Sequence, residues 1–255
     1  MAIQTGRVAL VTGASKGGIG GSIAVKLASE GISLYLASYD SEEALQSVAS
    51  DCREANPDIQ TSHGRFDFSK EGDAVRMVES AHKALGRIDI LINNAVVRFR
   101  HPFGEYSSKE FDESLAINLK APFLASQAVI PIMKELGGGR IINIASSLGV
   151  VAEQNHALYG LTKAALIHLT KSMAFELTPH NILVNAVSPG PTLTDYNKGR
   201  ISQDPAVRAD KMSRIRAGRY GRPEEIAEVV RFLATTEVTY LLGQNVIVDG
   251  GCVID

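Results

Sequence analysis

Short apolar runs alternate with longer segments of helical period from one end of the 255-residue sequence to the other. Val8–Thr12, Ser33–Ala37, Gln60–Arg65, Ile90–Asn93, Arg140–Ala145, Leu183–Ser188 and Asn245–Val248 read as strands. Several are nearly continuous apolar runs, as strands covered on both faces are. Between them stand helix signals. Ser41 suits an N-cap ahead of Ala44, Val48 and Cys52, which share one helical face. Ser107 and Glu110 have capping-box spacing before a helix that reaches about Leu136 and should bend at Pro131. Pro223 with Glu224 and Glu225 suits a first helical turn. This alternation predicts an α/β fold, a doubly wound, mainly parallel seven-stranded sheet with helices on both faces. No linker or repeat divides the chain, so residues 1–255 read as one domain. Ligands bind such sheets at the carboxyl ends of the strands, and the residues just after each strand are the place to seek chemistry.

Composition excludes several classes of function. Apolar residues make up 45% of the chain and charged residues 21%, an ordinary globular balance. A net charge of -2 gives no electrostatic case for nucleic acid or anionic lipid. No stretch reaches the ~20 apolar residues of a membrane span, and the first residues lack the apolar run of a signal peptide. Cys52 and Cys252 form neither metal spacing nor a disulfide framework and suit a reducing compartment. The expectation is a cytoplasmic protein without a membrane or nucleic-acid partner.

Two places carry chemistry. After the first strand, Gly13, Ser15, Lys16, Gly17, Gly18, Ile19 and Gly20 lead into a helix. Glycines there let the backbone approach a pyrophosphate, and the helix N-terminus offers free N–H groups. Further on, Tyr159 and Lys163 stand four residues apart, on one face of a helix. Ser146 and Ser147 directly follow the fifth strand. A free tyrosine has a pKa of ~10 and is a poor base near neutrality. A neighbouring ammonium lowers that value, and Lys163 can supply it. Ser146 can donate a hydrogen bond to a carbonyl oxygen and stabilise developing charge there.

Taken in order, these motifs resemble the short-chain dehydrogenase/reductase family. The loop from Thr12 to Gly20 resembles its Thr-Gly-x-x-x-Gly-x-Gly cofactor loop, with Gly18 as an added residue. Ser146 lies thirteen residues before Tyr159, the family's spacing. Asn93-Asn94-Ala95 resembles its Asn-Asn-Ala-Gly, with Val96 in place of the glycine. Ser188-Pro189-Gly190 with Thr192 and Thr194, Gly243-Gln244, and Val248-Asp249-Gly250-Gly251 resemble its later segments.

The resemblance covers essentially the whole chain. It implies a Rossmann domain and an NAD(P)-dependent oxidoreductase acting on a carbonyl or secondary alcohol. It gives Tyr159 the role of general acid/base, Ser146 that of holding the carbonyl oxygen, and Lys163 that of binding the nicotinamide ribose. Asn118, between Ile117 and Leu119, would bend its helix and hold a water for a proton relay; read by itself, a satisfied core amide is the lesser alternative. Asp67, with Phe68 beside it, would lie near the adenine; read by itself it is equally a cap before Ser69. Asn94 and Ala95 would border the cofactor. Pro189, Gly190, Thr192 and Thr194 would meet the nicotinamide amide and a phosphate. Homo-oligomers, dimers or tetramers, are implied through the helices at about Lys109–Leu136 and Tyr159–Leu177.

Cofactor choice is set where the second strand ends. Counted from Gly31, that position is Ser38, followed by Tyr39. An acid there would bind the ribose 2′-OH and repel a 2′-phosphate. None stands there, and Asp40 reads as the start of a helix turn. Lys16 could pair with a 2′-phosphate. NADP(H) is therefore favoured over NAD(H). Within the family, reduction of 3-oxoacyl thioesters is the alternative. Gly137 and His180 stand where basic docking residues are expected, with Arg140 nearby, which weighs against it. A non-catalytic cofactor sensor would not need the Tyr/Lys pair. The segment Pro191–Tyr220 should cover the substrate, with Tyr196 and Met212 as apolar contacts. His156 either lines the site or is a solvated loop residue.

Overall fold

Seven parallel strands form one sheet in the order β3-β2-β1-β4-β5-β6-β7. The computed structural model describes residues 6–198, 209 and 212–254. The strands are β1 (Val8–Thr12), β2 (Ser33–Ser38), β3 (Thr61–Arg65), β4 (Ile90–Asn93), β5 (Gly139–Ile144), β6 (Ile182–Pro189) and β7 (Asn245–Val248). Some ends differ from the sequence-based expectation by a residue, because pairing rather than apolarity decides where a strand stops. Pro189 still pairs with Val248 in register, although its ring removes a donor.

Around the sheet lie α1 (Ile19–Ser29), α2 (Glu42–Ala55), α3 (Asp73–Leu85), α4 (Ser108–Leu115), α5 (Ala121–Glu135), α6 (Ala157–Leu177), α7 (Asp195–Lys198) and α8 (Pro223–Thr235). Alternate residues of one strand enter different cores. Ala9 and Val11 of β1 pack with Ile23, Leu27, Val48 and Val230, from α1, α2 and α8. Val8 and Leu10 pack with Met77, Val129, Met133 and Leu177, from α3, α5 and α6. Side chains alternate across a strand, so a strand covered on both sides must be apolar throughout.

The local signals act as read. Ser41 accepts from the Ala44 amide, Ser107 and Glu110 form a reciprocal capping box, and Pro223 opens α8. The long helix departs from expectation. It is interrupted at Ala116–Lys120 by a π turn, and α5 then runs through Pro131 to Glu135. Ser108–Glu135 is long and apolar enough to cross a membrane by length and composition alone. Here its Ala121, Ala125, Val129 and Met133 are buried in the second core.

The chain reverses its winding between β1 and β4, so a crevice opens at their carboxyl ends. Of the expected covering segment, residues 199–208 and 210–211 lie outside the described residues. Its ends are tied together where Leu193 and Gly221 bond, with Thr192 and Gly221 forming an isolated bridge.

Candidate active site

The crevice is built from the glycine loop and the end of β4. Thr12 Oγ1 donates to the Ile92 carbonyl and accepts from the amides of Asn94 (2.8 Å) and Ala95 (3.0 Å). Asn94 Nδ2 returns to the carbonyls of Thr12 and Gly13 at 2.9 and 3.0 Å. This lashing leaves no room for a side chain at Gly20, where a Cβ would lie 2.1 Å from the Gly13 carbonyl. α1 starts at Ile19 without a side-chain cap. Its first-turn amides and the bare loop fit a pyrophosphate. Gly18 has extended backbone, while the left-handed turn falls at Gly17 (φ 66), whose carbonyl accepts from the Asp195 amide at 3.1 Å. Val96 is not among the positive-φ residues, and its half-exposed side chain lines the crevice. The family glycine is not needed for backbone conformation there.

A cleft of about 470 Å³ continues from this crevice. From the glycine loop it is lined by Gly13, Ser15, Lys16, Gly18, Ile19 and Gly20, and from β4 by Asn94 and Ala95. Beyond β5 and on α6 it meets Ser146, Tyr159 and Lys163. After β6 it meets Pro189, Gly190, Thr192 and Thr194. The structure thus assembles most of the residues singled out in the sequence.

Ser146 and Tyr159 face the same cleft, and Ser146 Oγ accepts from the Leu148 amide at 3.1 Å. Burial holds the phenol's pKa above 10, against the Ser146 hydroxyl and the charge of Arg98. Lys163 is buried, with Nζ 5.7 Å from the Tyr159 ring centroid and donating to the Ile144 carbonyl at 2.7 Å. Burial lowers its pKa to about 7. Arg98 adds a positive charge that favours the phenolate, while desolvation disfavours the ammonium of Lys163.

Asn118 sits in the π turn, fully buried. Its Oδ1 accepts from the Val97 amide, and its Nδ2 donates to the Val97 carbonyl and Thr162 Oγ1, at 2.9, 2.9 and 3.2 Å. The bend is present. The side chain is a clamp between the loop after β4 and α6, with both amide hydrogens engaged. Below the cleft, Asn93 Nδ2 donates to Asn143 Oδ1 and Asn143 Nδ2 to Thr170 Oγ1, both at 2.9 Å. This buried ladder ties β4, β5 and α6 together.

Ser38, Tyr39, Asp67 and Phe68 do not line the cleft. Ser38 is buried, Tyr39 is exposed, and Phe68 packs on the second core. Asp67 accepts from the Ser69 hydroxyl and amide, chiefly the hydroxyl, which hold its carboxyl below the usual range. Asp40 brings a carboxylate to the end of β2 that its position in sequence did not suggest. Its Oδ2 accepts from Ser15 Oγ (2.5 Å) and Ser38 Oγ (2.8 Å). Lys16 turns outward to Ser47 (2.8 Å) and Asp51 (3.1 Å). His156 is not solvated; it lines the cleft, buried, with Nδ1 3.0 Å from the Gln154 carbonyl. Sequence reading missed Arg98, Arg100 and Glu153, which also line the cleft. The arginines follow β4 at the carboxyl edge of the sheet, where the rule for open α/β sheets directs attention.

The sequence matches the family described as Enoyl-(Acyl carrier protein) reductase over residues 13–253. It is 34% identical over 253 residues to 7alpha-hydroxysteroid dehydrogenase of Bacteroides fragilis, covering 97% of this chain and 95% of that one. It is 37% identical over 247 residues to 3-oxoacyl-[acyl-carrier-protein] reductase FabG of Aquifex aeolicus, covering 96% and 97%. Among solved structures, a blue fluorescent protein from a metagenomic library in complex with NADPH superposes with a TM-score of 0.90 at 31% identity, covering 97% and 98%. The chain belongs to the short-chain dehydrogenase/reductase family. It is an NAD(P)-dependent oxidoreductase of the class acting on alcohol and carbonyl groups.

Proposed function

We propose that this enzyme transfers a hydride between NADP(H) and a carbonyl or secondary alcohol of small or medium size, with Tyr159 as general acid/base. The observation that carries the reading is the meeting of Ser146, Tyr159 and buried Lys163 in one cleft, at the end of a glycine-lined crevice. The bound nicotinamide supplies or accepts the hydride. Gly13–Gly20 cradle the pyrophosphate and Lys163 holds the ribose. Asn94, Ala95, Pro189, Gly190, Thr192 and Thr194 border the nicotinamide half, and Ser38, Tyr39, Asp67 and Phe68 the adenosine half. Ser146 orients the substrate oxygen, to which Tyr159 delivers its proton. Asn118 is a positioning residue. The segment 191–220 covers the substrate, within a single domain. The two free cysteines accord with a cytoplasmic enzyme.

Ser38 in place of an acid supports NADP(H). The Lys16–Asp51 pair is exposed and worth about 0–1 kcal/mol, so a 2′-phosphate can recruit Lys16 at little cost. NAD(H) is the second reading, favoured by the Asp40 carboxylate lodged between Ser15 and Ser38. Initial rates with a panel of ketones and both dinucleotides test both levels. No oxidation of either dinucleotide by any carbonyl would overturn the enzyme reading. NADPH is expected to exceed NADH in kcat/KM, and Asp40→Asn to widen the ratio about tenfold by removing a like charge. A wild type preferring NADH tenfold would decide for NAD(H). Reduction of 3-oxoacyl thioesters is the alternative substrate reading, favoured by the likeness to the FabG protein.

We further propose a dimer or tetramer. Phe111 and Phe123, flanking the π turn, and Leu161 and Phe175 of α6 are large apolar side chains left exposed. Two-fold pairing of these helices would bury them. Sedimentation velocity at micromolar concentration is expected to show at least twice the 27.3 kDa chain mass; a pure monomer would refute the assembly.

A further inference from the structure

Arg98 and Arg100 both line the cleft, and the intervening Phe99 does not. Among the described residues that line it with them are Lys16, whose ammonium turns outward, Lys163, and one acid, Glu153. The two lysines have partners, Asp51 and the Ile144 carbonyl. Glu153 stands 3.9 Å from His156. The two guanidiniums have neither a carboxylate nor a hydrogen-bond acceptor among the described residues. Arg98 is half-buried, with Cζ 5.7 Å from the Tyr159 ring centroid. Burial chiefly holds the His156 pKa below its ordinary value; Arg100 and Arg98 add to this, against the Gln154 carbonyl and Glu153.

Arg98 is half-buried and Arg100 exposed, so the pair sets a positive potential at the mouth of the cleft that favours an anion. A role confined to tuning Tyr159 would need Arg98 alone, since Arg100 is not among the groups acting on the phenol. Guanidinium donors form a planar fork that matches an oxyanion.

We propose that the substrate is anionic: a carbonyl or hydroxy compound carrying a carboxylate or phosphate a few bonds from the reacting carbon, bound by Arg98 with Arg100 beside it. This rests on the oxidoreductase reading and names the substrate class within it. The closeness of Arg98 to the Tyr159 ring places the anion near the reacting oxygen, as in short oxo acids or oxoalkyl phosphates.

The test compares short 2-oxo and 3-oxo acids with their methyl esters, and oxoalkyl phosphates with the corresponding neutral ethers. Wild type should favour the anionic member by about ten- to a hundredfold in kcat/KM, the effect of a charge-assisted fork. Whichever anion shows the larger ratio identifies the group. Arg98→Gln should bring the anion-to-neutral ratio close to one, mainly through KM, and Arg100→Gln should lower it by less. The ratio separates anion binding from any effect of Arg98 on the phenol, which would slow both members alike. Titration calorimetry of short alkanoates and alkyl phosphates against matching amides and alcohols reads the same contact without turnover. Anions should bind wild type and lose affinity in Arg98→Gln. Turnover of neutral ketones without anion preference would overturn this proposal and leave the oxidoreductase standing. Equal binding of anions and neutrals would overturn it even if no carbonyl is reduced. Reduction of no carbonyl alongside selective anion binding would overturn the oxidoreductase reading instead.

Discussion

Tyr159→Phe is expected to lower kcat/KM by about 10²- to 10⁴-fold, the usual loss when a positioned acid is removed. The ring stays, so packing in the cleft wall is kept. The dinucleotide Kd should stay within a few-fold, because the glycine loop and Lys163 are untouched. Ser146 retains its bond from the Leu148 amide, so no hydroxyl is stranded. Direction matters as well. Burial holds the phenol above its ordinary value, so at neutral pH it is a proton donor suited to reduction. Alcohol oxidation needs the phenolate, and its rate in wild type should climb as pH rises toward that raised value. Steady-state rates in both directions, with dinucleotide binding by fluorescence, check the whole prediction. Wild-type turnover in the variant would sink the assignment of Tyr159.

Lys163→Met is expected to abolish measurable turnover and yet raise the melting temperature at neutral pH. Burial lowers the folded-state pKa of Lys163 to about 7, from an ordinary 10.5. Below about pH 7 the side chain is charged in both folded and unfolded chains, and the full burial cost is present. As pH rises from there toward 10.5, the unfolded chain holds a proton that the folded one does not, so wild-type stability increases. Replacing the ammonium with a thioether of similar shape should therefore gain a few kcal/mol at pH 7, less about 1 kcal/mol for the lost bond to Ile144. For a chain of this size that corresponds to roughly 5–10 °C. The gap between variant and wild type should close as pH approaches 10. Calorimetric scans across that range decide it; a variant that melts no higher at pH 7 would contradict the buried-ammonium account.

The framework of this protein was legible because apolar period and turn chemistry are local. All seven strands, the Ser41 cap, the Ser107–Glu110 box and the start of α8 at Pro223 follow from residues within a few positions of one another. The Ser146, Tyr159 and Lys163 spacing was legible for a different reason, its resemblance to a known pattern. What was not legible depends on side chains meeting across the sequence. Asp40 looked like a helix start because nothing local shows that it folds back onto Ser15 and Ser38. Lys16 looked free because its partner Asp51 lies a helix away. Asn143, between two isoleucines, could have drawn attention as a buried amide, but its partners Asn93 and Thr170 come from other elements. The break at Ala116–Lys120 escaped because its residues suit an α-helix well. Asn118 and Val97 decide the matter through space.

That clamp separates what can vary in this molecule from what cannot. Asn118 grips both backbone groups of Val97 and touches Thr162, one residue from Lys163. The main chain after β4 is thereby held in register with α6, while the side chains at Val96, Arg98 and Arg100 project into the cleft. Exchanging those three leaves the grip unaltered. An experimenter seeking a new substrate would randomise them together and keep Val97 and Asn118, since a chain built this way can change its diet without relearning its chemistry.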